Sequence, residues 1–519
     1  MKQRSLRYFL YGAPIIAVLT LFVMNLWFAS PFVRSWDEVD FVLAVDRFDL
    51  LAMQPHFPGY PYFIAGAKLL HTWMSDPVKS LINWNAALAC SSAIPIALLA
   101  RRYISGITAI WVSVAVQTMP YLWLMGSRPM SECAGIAVLW WFLWSIRMAA
   151  DRPESNLRLG VAIVSFSLLM GIRVSYFPFG LALLLLLVYQ YRSEANRRIG
   201  LRRLSLALIA AAGAQMIWIG GLAMSEGTLE GFWNLSMAFV AGHFSEWGGG
   251  VASAQVPFGT RVVTLVYDHL IREVLLSRSV VLGAIYGCLI ALTGCGIWRL
   301  GSNRRRSVVD GLKHHEWLLI VLAAYGGWVL LGQNIEKPRH IAPIAGPLML
   351  LVYVSALKAA HWLRRTSESG REQQLWDKVN AAAIQLTLTA VVIVQFIAGA
   401  QLLELQAEQR PSIYQLDDYM ETIEEPFVLY TWEETRVLGY LQAEYEHRKV
   451  YTLDYFHAIA SSETERRVFL TDHVLKGFLA QNKNAGMNVV PVAYISSDNR
   501  FDPVYSEITL YEWKRAYDN

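Results

Sequence analysis

The sequence predicts an α-helical polytopic membrane protein with a small α/β domain at its carboxyl end. Of 519 residues, 55% are hydrophobic and only 17% are charged, against about 25% charged in ordinary soluble domains. The apolar residues gather into blocks of about twenty, the length an α-helix needs to cross a bilayer. Beyond residue 403 the character changes, with 20 acidic against 11 basic residues. The formal charge of +4 therefore divides into about −9 for the tail and +13 for the rest.

Eleven spans are expected, at 8–29, 79–100, 105–125, 130–148, 158–171, 174–190, 203–224, 279–298, 316–332, 341–360 and 380–403. Lys and Arg concentrate in alternate connections: Lys2, Arg4 and Arg7; Arg101 and Arg102; Arg147, Arg152 and Arg158; Arg192 to Arg203; Arg299 to Lys313; Arg364 to Lys378. The positive-inside rule makes these cytoplasmic, so the amino terminus is expected inside and the tail outside. Positive charge spread over short connections sets topology and speaks against nucleic-acid binding. The first block is too long for a signal-peptide core and lacks a small-residue cleavage site, so it is read as a retained span. Cys90, Cys133, Cys288 and Cys295 all fall in apolar blocks, which implies no disulfide framework.

The expected domains are a membrane module over 1–403 and an extracytoplasmic α/β domain over 404–519. Two outer segments, 30–78 and 225–278, interrupt the module. The second contains His243-Phe244-Ser245-Glu246-Trp247. In the tail, β-type runs at Phe427–Tyr430, Lys449–Leu453, Val468–Leu470, Val489–Ile495 and Ile508–Trp513 alternate with helical stretches at Glu433–Glu446 and His473–Asn482, which suggests βαβ units. No glycine-rich phosphate loop follows any of these strands.

The first outer segment carries Trp36-Asp37-Glu38-Val39-Asp40, directly after the first span. An ionisable group at that depth is costly in hydrocarbon and marks function by default. Phe41, Val45 and Phe48 follow i, i+4, i+7 spacing, as for a helix lying in the membrane interface. On such a helix Asp37 and Glu38 diverge by about 100°, so one can face a cavity while the other caps the helix or meets a cation. The blander alternative is that Asp37 only answers the helix dipole. His56-Phe57-Pro58-Gly59-Tyr60-Pro61 follows, where His56 either touches substrate or caps the turn. At a late span, Lys337-Pro338-Arg339-His340 offers a planar guanidinium and a flexible ammonium to an anion, or else lets them snorkel to headgroups. Arg173, in the tight turn Gly171-Ile172-Arg173, meets a phosphate or anchors the interface. Arg128 and Glu132, at the start of the fourth span, line a cavity or accompany a helix cap.

Together these motifs resemble the outer loops of GT-C glycosyltransferases. The Asp-Glu pair is similar to that of the protein O-mannosyltransferase and aminoarabinose-transferase branch. Pro58-Gly59-Tyr60-Pro61 is similar to an H-P-x-G-Y-P-type sequence of other members, with Phe57 where proline is usual. The Lys337–Pro343 segment resembles an Arg-Tyr-x-x-Pro-like segment of the superfamily. The resemblance implies an inverting transferase that takes sugar from a polyprenyl-phosphate donor at the non-cytoplasmic face; the absence of outer cysteines and the short arginine-rich loops suit a bacterial cytoplasmic membrane. The acceptor is a hydroxyl or amine of a glycan, lipid or protein. Asp37 is then the general base, with Glu38 as the alternative. Arg339, Lys337, His340, Arg173 and Arg128 bind the donor phosphate. His56, Tyr60, Asp40, Glu132 and His243 contact substrate. Without His-x-x-x-His or Cys-x-x-Cys no metal site is expected, although the resemblance is compatible with a divalent ion at Asp37 and Glu38. A multi-pass transporter or lipid flippase is the competing reading; transporters tend to place ionisable groups at the midplane between internal repeats, and no repeat is visible here.

Overall fold

The computed structural model describes residues 2–245, 249–251, 256–300, 316–365, 371–463, 465–486 and 488–514. Glu246 and Trp247 of the second outer segment, and Arg304, Arg305, Arg306 and Lys313 of one basic connection, lie outside the described residues. The chain forms two compact units, one of Met1–Ala29 with Val45–Glu404 and one of Ser30–Ala44 with Leu405–Asn519.

The first unit is a helical bundle. Its main helices are α1 (Lys2–Trp27), α3 (Pro61–His71), α4 (Pro77–Ala100), α5 (Gly106–Gln117), α6 (Pro120–Leu124), α7 (Ser131–Ala150), α8 (Asn156–Ile172), α9 (Leu181–Ser193) and α10 (Arg197–Ser225). After α11 (Leu229–Ser245) and α12 (Phe258–Val263) come α13 (Val280–Arg299), α14 (Glu316–Gly332), α15 (Ala342–Arg364) and α16 (Arg371–Glu408). Among the described residues, seven helical stretches are long and apolar enough to cross a membrane, a bent pair makes an eighth, and shorter apolar helices occupy Gly12–Trp27, Asn156–Ile172 and Glu316–Gly332. These coincide with the eleven expected segments. The apolar stretches of α7 and α15 are each 67% buried in protein, against 17% for α10 and 22% for α13. Small residues explain the central pair, since Ala134, Gly135, Ala137, Ala345, Gly346 and Ala356 let neighbouring helices approach closely.

One expected span is not straight. The segment 105–125 divides into α5 and a second piece, Pro120–Ser127, at an angle of 70°. Pro120 has no N–H to continue the helix, and it pushes Met119 out of helical geometry (φ −56°, ψ 116°).

The second unit begins with α2 (Trp36–Asp46), of which residues through Ala44 belong to it. The expectation of an interfacial helix is corrected here. The helix ends before Phe48, and Val39, Phe41, Val42 and Ala44 are buried in protein. A helix apolar on several sides belongs in a core rather than on a membrane surface. The carboxyl-terminal residues then form α17 (Ser412–Glu421), β1 (Phe427–Thr431), α18 (Glu434–Leu441), β2 (His447–Lys449), α19 (Leu453–Ala460), β3 (Arg467–Thr471), α20 (Asp472–Gln481), β4 (Val489–Ser496) and β5 (Glu507–Trp513). The sheet order is β2-β1-β3-β5-β4, with β2, β1 and β3 parallel and β5 antiparallel to both β3 and β4. Central β1 and β3 are almost wholly buried, and Val428, Tyr430, Phe456, Val468, Leu470 and Phe478 form much of the core. The expected strand Lys449–Leu453 is displaced. Thr452 accepts a hydrogen bond from the Tyr455 N–H at 3.3 Å, and this cap starts α19 where a strand was anticipated.

Candidate functional site

In the first unit the local organiser is a polar residue within a span. Asn85, fully buried in α4, donates through Nδ2 to the carbonyls of Arg128 (2.9 Å) and Met130 (2.8 Å). Its Oδ1 accepts the Ala134 N–H at 3.1 Å. The first N–H groups of a helix have no intrahelical partner, so Asn85 both serves the start of α7 and fixes the approach to it. Replacing it with alanine takes a partner from three backbone groups, of which the Met130 carbonyl and the Ala134 N–H are buried while the Arg128 carbonyl keeps the Met130 N–H at 2.8 Å. At about 1–3 kcal/mol per unsatisfied group, Asn85→Ala is expected to lower the thermal midpoint of the detergent-purified protein clearly; an unchanged midpoint would mean that other contacts hold this turn.

This start of α7 presents Glu132, whose carboxylate is 1% exposed. Arg173 Nη2 reaches its Oε1 at 2.9 Å, and Arg339 Nε reaches the same oxygen at 3.0 Å. Arg173 Nη1 also donates to Ser131 Oγ at 2.7 Å. Arg173 is the extended residue (φ −155°, ψ 98°) between α8 and the 3-10 turn Val174–Gly180. Arg339 belongs to the 3-10 turn Pro338–His340 that precedes α15. Two guanidiniums thus converge on one oxygen of a buried carboxylate. Tyr121 lies within electrostatic reach of Arg128, Arg339 and Glu132, and Tyr60 within reach of Arg173. A third arginine therefore belongs to the same neighbourhood. Tyr325 donates to the His340 carbonyl at 2.8 Å and stacks on Phe179, bracing the turn that carries Arg339.

Two glycines permit these approaches. Gly59 has φ +87°, and a Cβ there would stand 2.6 Å from Leu222. A Cβ on Gly171 would stand 2.3 Å from the Tyr62 ring, so glycine lets the Arg173 turn close on the Pro-Gly-Tyr-Pro loop.

The second unit holds the acidic helix. Glu38 is fully buried, and its Oε2 accepts the Arg34 N–H at 2.5 Å while its own N–H meets Ser35 Oγ at 3.4 Å. This is a variant of the capping box, in which a hydroxyl and a carboxylate serve the unpaired donors of a helix start. Asp40 is also fully buried, with Arg436 Nε and Nη2 on Oδ1 at 2.9 and 2.8 Å. Asp37 is only partly buried. Both neighbours thus have structural partners, and neither has the exposure of Asp37.

No known family model matches the sequence, and no curated protein matches it. Solved structures do. The chain is similar to ArnT from Cupriavidus metallidurans bound to undecaprenyl phosphate, with a TM-score of 0.52 and 11% identity over 96% of this chain and 97% of that one. It is similar to the apo state of the same protein, with a TM-score of 0.51 and 12% identity over 96% and 98%. The chain has the GT-C fold. The Archaeoglobus fulgidus oligosaccharyltransferase in complex with Zn and sulfate is also similar, with a TM-score of 0.48 and 12% identity over 94% and 72%.

Within the GT-C fold, the remaining sequence-expected residues fall as follows. His56 meets the Tyr60 hydroxyl at 3.1 Å, and its carbonyl accepts the Gly59 N–H at 3.0 Å. Lys337 immediately precedes the Arg339 turn and is half-buried. His340 donates from Nδ1 to the Asn334 carbonyl at 3.1 Å. Burial, then the charges of Arg339, Arg173 and Lys337, hold its pKa well below the usual histidine value. The imidazole braces the turn that carries Arg339. His243 is bonded at 2.8 Å to the Gly332 carbonyl and stacked near Trp328. Among the described residues no three His, Cys, Asp or Glu side chains gather as a metal site. Asn85, Tyr325 and Arg436 were not singled out from sequence. Asn85 had a signal, an amide inside a span; Ser35-x-x-Glu38 had one too, the capping-box spacing.

Proposed function

We propose that this protein is an integral-membrane glycosyltransferase moving a sugar from a polyprenyl-phosphate donor to an acceptor hydroxyl or amine. The observation that carries the reading is the arginine pair converging on Glu132 Oε1 at 2.9 and 3.0 Å inside a GT-C fold. Guanidiniums held side by side, with their planar forks fixed, suit an anion with several oxygens. ArnT binds undecaprenyl phosphate in the structure whose fold this chain shares, and we extend that ligand class to this chain.

In this reading Arg339 and Arg173 hold the donor phosphate, with Arg128 and Lys337 adding charge. As the bond from the sugar C1 to the phosphate oxygen breaks, negative charge grows on the phosphate and the fixed guanidiniums stabilise it. The acceptor oxygen or nitrogen bonds to C1 as that bond breaks, and Asp37 is the group proposed to take its proton. Polyprenyl phosphate leaves and the configuration inverts. Glu38 and Asp40 hold the helix that carries the base. The membrane is a bacterial cytoplasmic membrane, with the amino terminus inside and the carboxyl-terminal domain outside.

The test is direct. Full-length protein in lipid nanodiscs is incubated with a panel of radiolabelled polyprenyl-phosphate sugars. The expected result is donor consumption with release of polyprenyl phosphate. Neither transfer nor donor hydrolysis across hexose, pentose and aminosugar donors would overturn the proposal.

A further inference from the structure

We propose that the carboxyl-terminal domain sets the direction of Asp37, with Arg436 as the positioning residue; this rests on the role given to Asp37 above. Trp36 and Asp40 are four residues apart and share one face of α2, whereas Asp37 points about 100° away from Trp36. That shared face is held by the domain. Arg436, in the first turn of α18, bonds Asp40 Oδ1 through Nε and Nη2, and its Cζ lies 5.6 Å from the centroid of the Trp36 ring. Lys449, the last residue of β2, places Nζ 4.5 Å from the same ring. Lys449 is itself surrounded by Trp432 at 4.9 Å and Tyr451 at 5.0 Å. The Trp36 ring is thus gripped by two cations whose backbones belong to a helix start and a sheet strand.

The approach to the helix is held as well. The Val33 N–H donates to the Tyr414 hydroxyl at 2.9 Å, and the buried Arg34 donates through Nη2 to the carbonyls of Gln406 and Gln409. With the entry fixed and one face gripped, α2 is hindered both in sliding and in turning about its axis. Turning would re-aim Asp37.

Stability alone is a poor account of this arrangement. Val39, Phe41 and Val42 already supply apolar burial, and a buried ion pair is commonly no more stabilising than apolar side chains of equal volume. What a paired, hydrogen-bonded carboxylate adds is a defined register. A guanidinium with both nitrogens on one oxygen is sensitive to rotation of that oxygen by an ångström. A general base needs the same tolerance, because small misplacements of a reacting group cost large factors in rate.

The experiment uses full-length protein in nanodiscs, as wild type, Arg436→Met, Arg436→Lys and Asp37→Asn. Hydrogen exchange of the 33–44 peptide is measured beside transfer kinetics. For Arg436→Met the expected result is a kcat lower by about 100-fold, a donor KM within about threefold of wild type because donor binding is not its task, and faster exchange in 33–44 with peptides of 77–150 unchanged. Arg436→Lys keeps the charge and recovers a good part of kcat. An Arg436→Met protein with normal kcat overturns the inference, as does one whose 33–44 exchange is unaltered. A proportional loss of kcat with loss of protection throughout the chain also overturns it, since that is simple misfolding. If Asp37→Asn turns over like wild type, the assignment of the base fails instead, and the positioning role falls with it. These failures are distinguishable because exchange is read independently of turnover.

Discussion

Asp37→Asn is expected to abolish practical transfer, with kcat lower by about 10³-fold, within the range that a positioned acid or base contributes. Asparagine has the same shape but cannot accept the acceptor's proton. The substitution keeps the side chain's shape at a partly buried position, and the helix-dipole share of the lost charge is about 0.3–1 kcal/mol. Glu38→Ala is the counterpart. It removes the carboxylate that caps Arg34 N–H, so about 1 kcal/mol of stability should go while turnover largely survives. If Glu38→Ala were the silent-catalysis variant and Asp37→Asn an active one, the two roles would have to be exchanged.

The second large effect concerns Glu132. Removing the carboxylate takes away the group on which the guanidiniums of Arg173, buried, and Arg339, partly buried, converge. Glu132→Ala is expected to destabilise the bundle by about 3–5 kcal/mol, the cost of breaking a buried ion pair from one side. Arg339→Met leaves Glu132 with Arg173 and so costs less stability. Its main effect should be on the donor, since a charge-assisted hydrogen bond is worth about 1.5–3 kcal/mol, or roughly 10- to 100-fold in donor affinity. Arg339→Lys should not restore wild-type behaviour, because an ammonium lacks the planar fork. Thermal unfolding and donor titration separate the two outcomes. A stable Glu132→Ala protein would show that the triad is solvated, and an unchanged donor affinity in Arg339→Met would remove Arg339 from the phosphate role.

The membrane helices were legible because each is a local property. Twenty apolar residues in a row must bury their backbone polar groups in helical hydrogen bonds wherever they meet lipid, and composition alone reports that. The bend at Pro120 was in principle legible too, since proline acts on its own residue and the one before it. The strand Lys449–Leu453 was misplaced because β-type composition extends into α19, and the Thr452 cap decides the boundary. Phe41, Val45 and Phe48 suggested an amphipathic surface helix because period alone does not say whether the opposite face meets water or protein. In α2 the opposite side carries Val39, flanked by Asp40 and Val42, and all three are buried.

The candidate residues divide in the same way. Residue types and motif spacing brought forward Asp37, Glu132, Arg173 and Arg339, because carboxylates and guanidiniums beside spans are expensive and therefore few. Which of them share an oxygen was beyond the sequence: Glu132, Arg173 and Arg339 lie far apart in the chain and meet only where α7, the Arg173 turn and the Arg339 turn converge. The division between Asp37, Glu38 and Asp40 was likewise tertiary. Their side chains differ little in chemistry, and it is burial, a cap at Arg34 and an arginine from α18 that give them different surroundings. The sequence by itself determined a helical membrane protein with an acidic α/β tail, since hydropathy and charge act locally. Only the tertiary structure decided which charges are paired, because pairing depends on distance in space and on the solvent that packing removes.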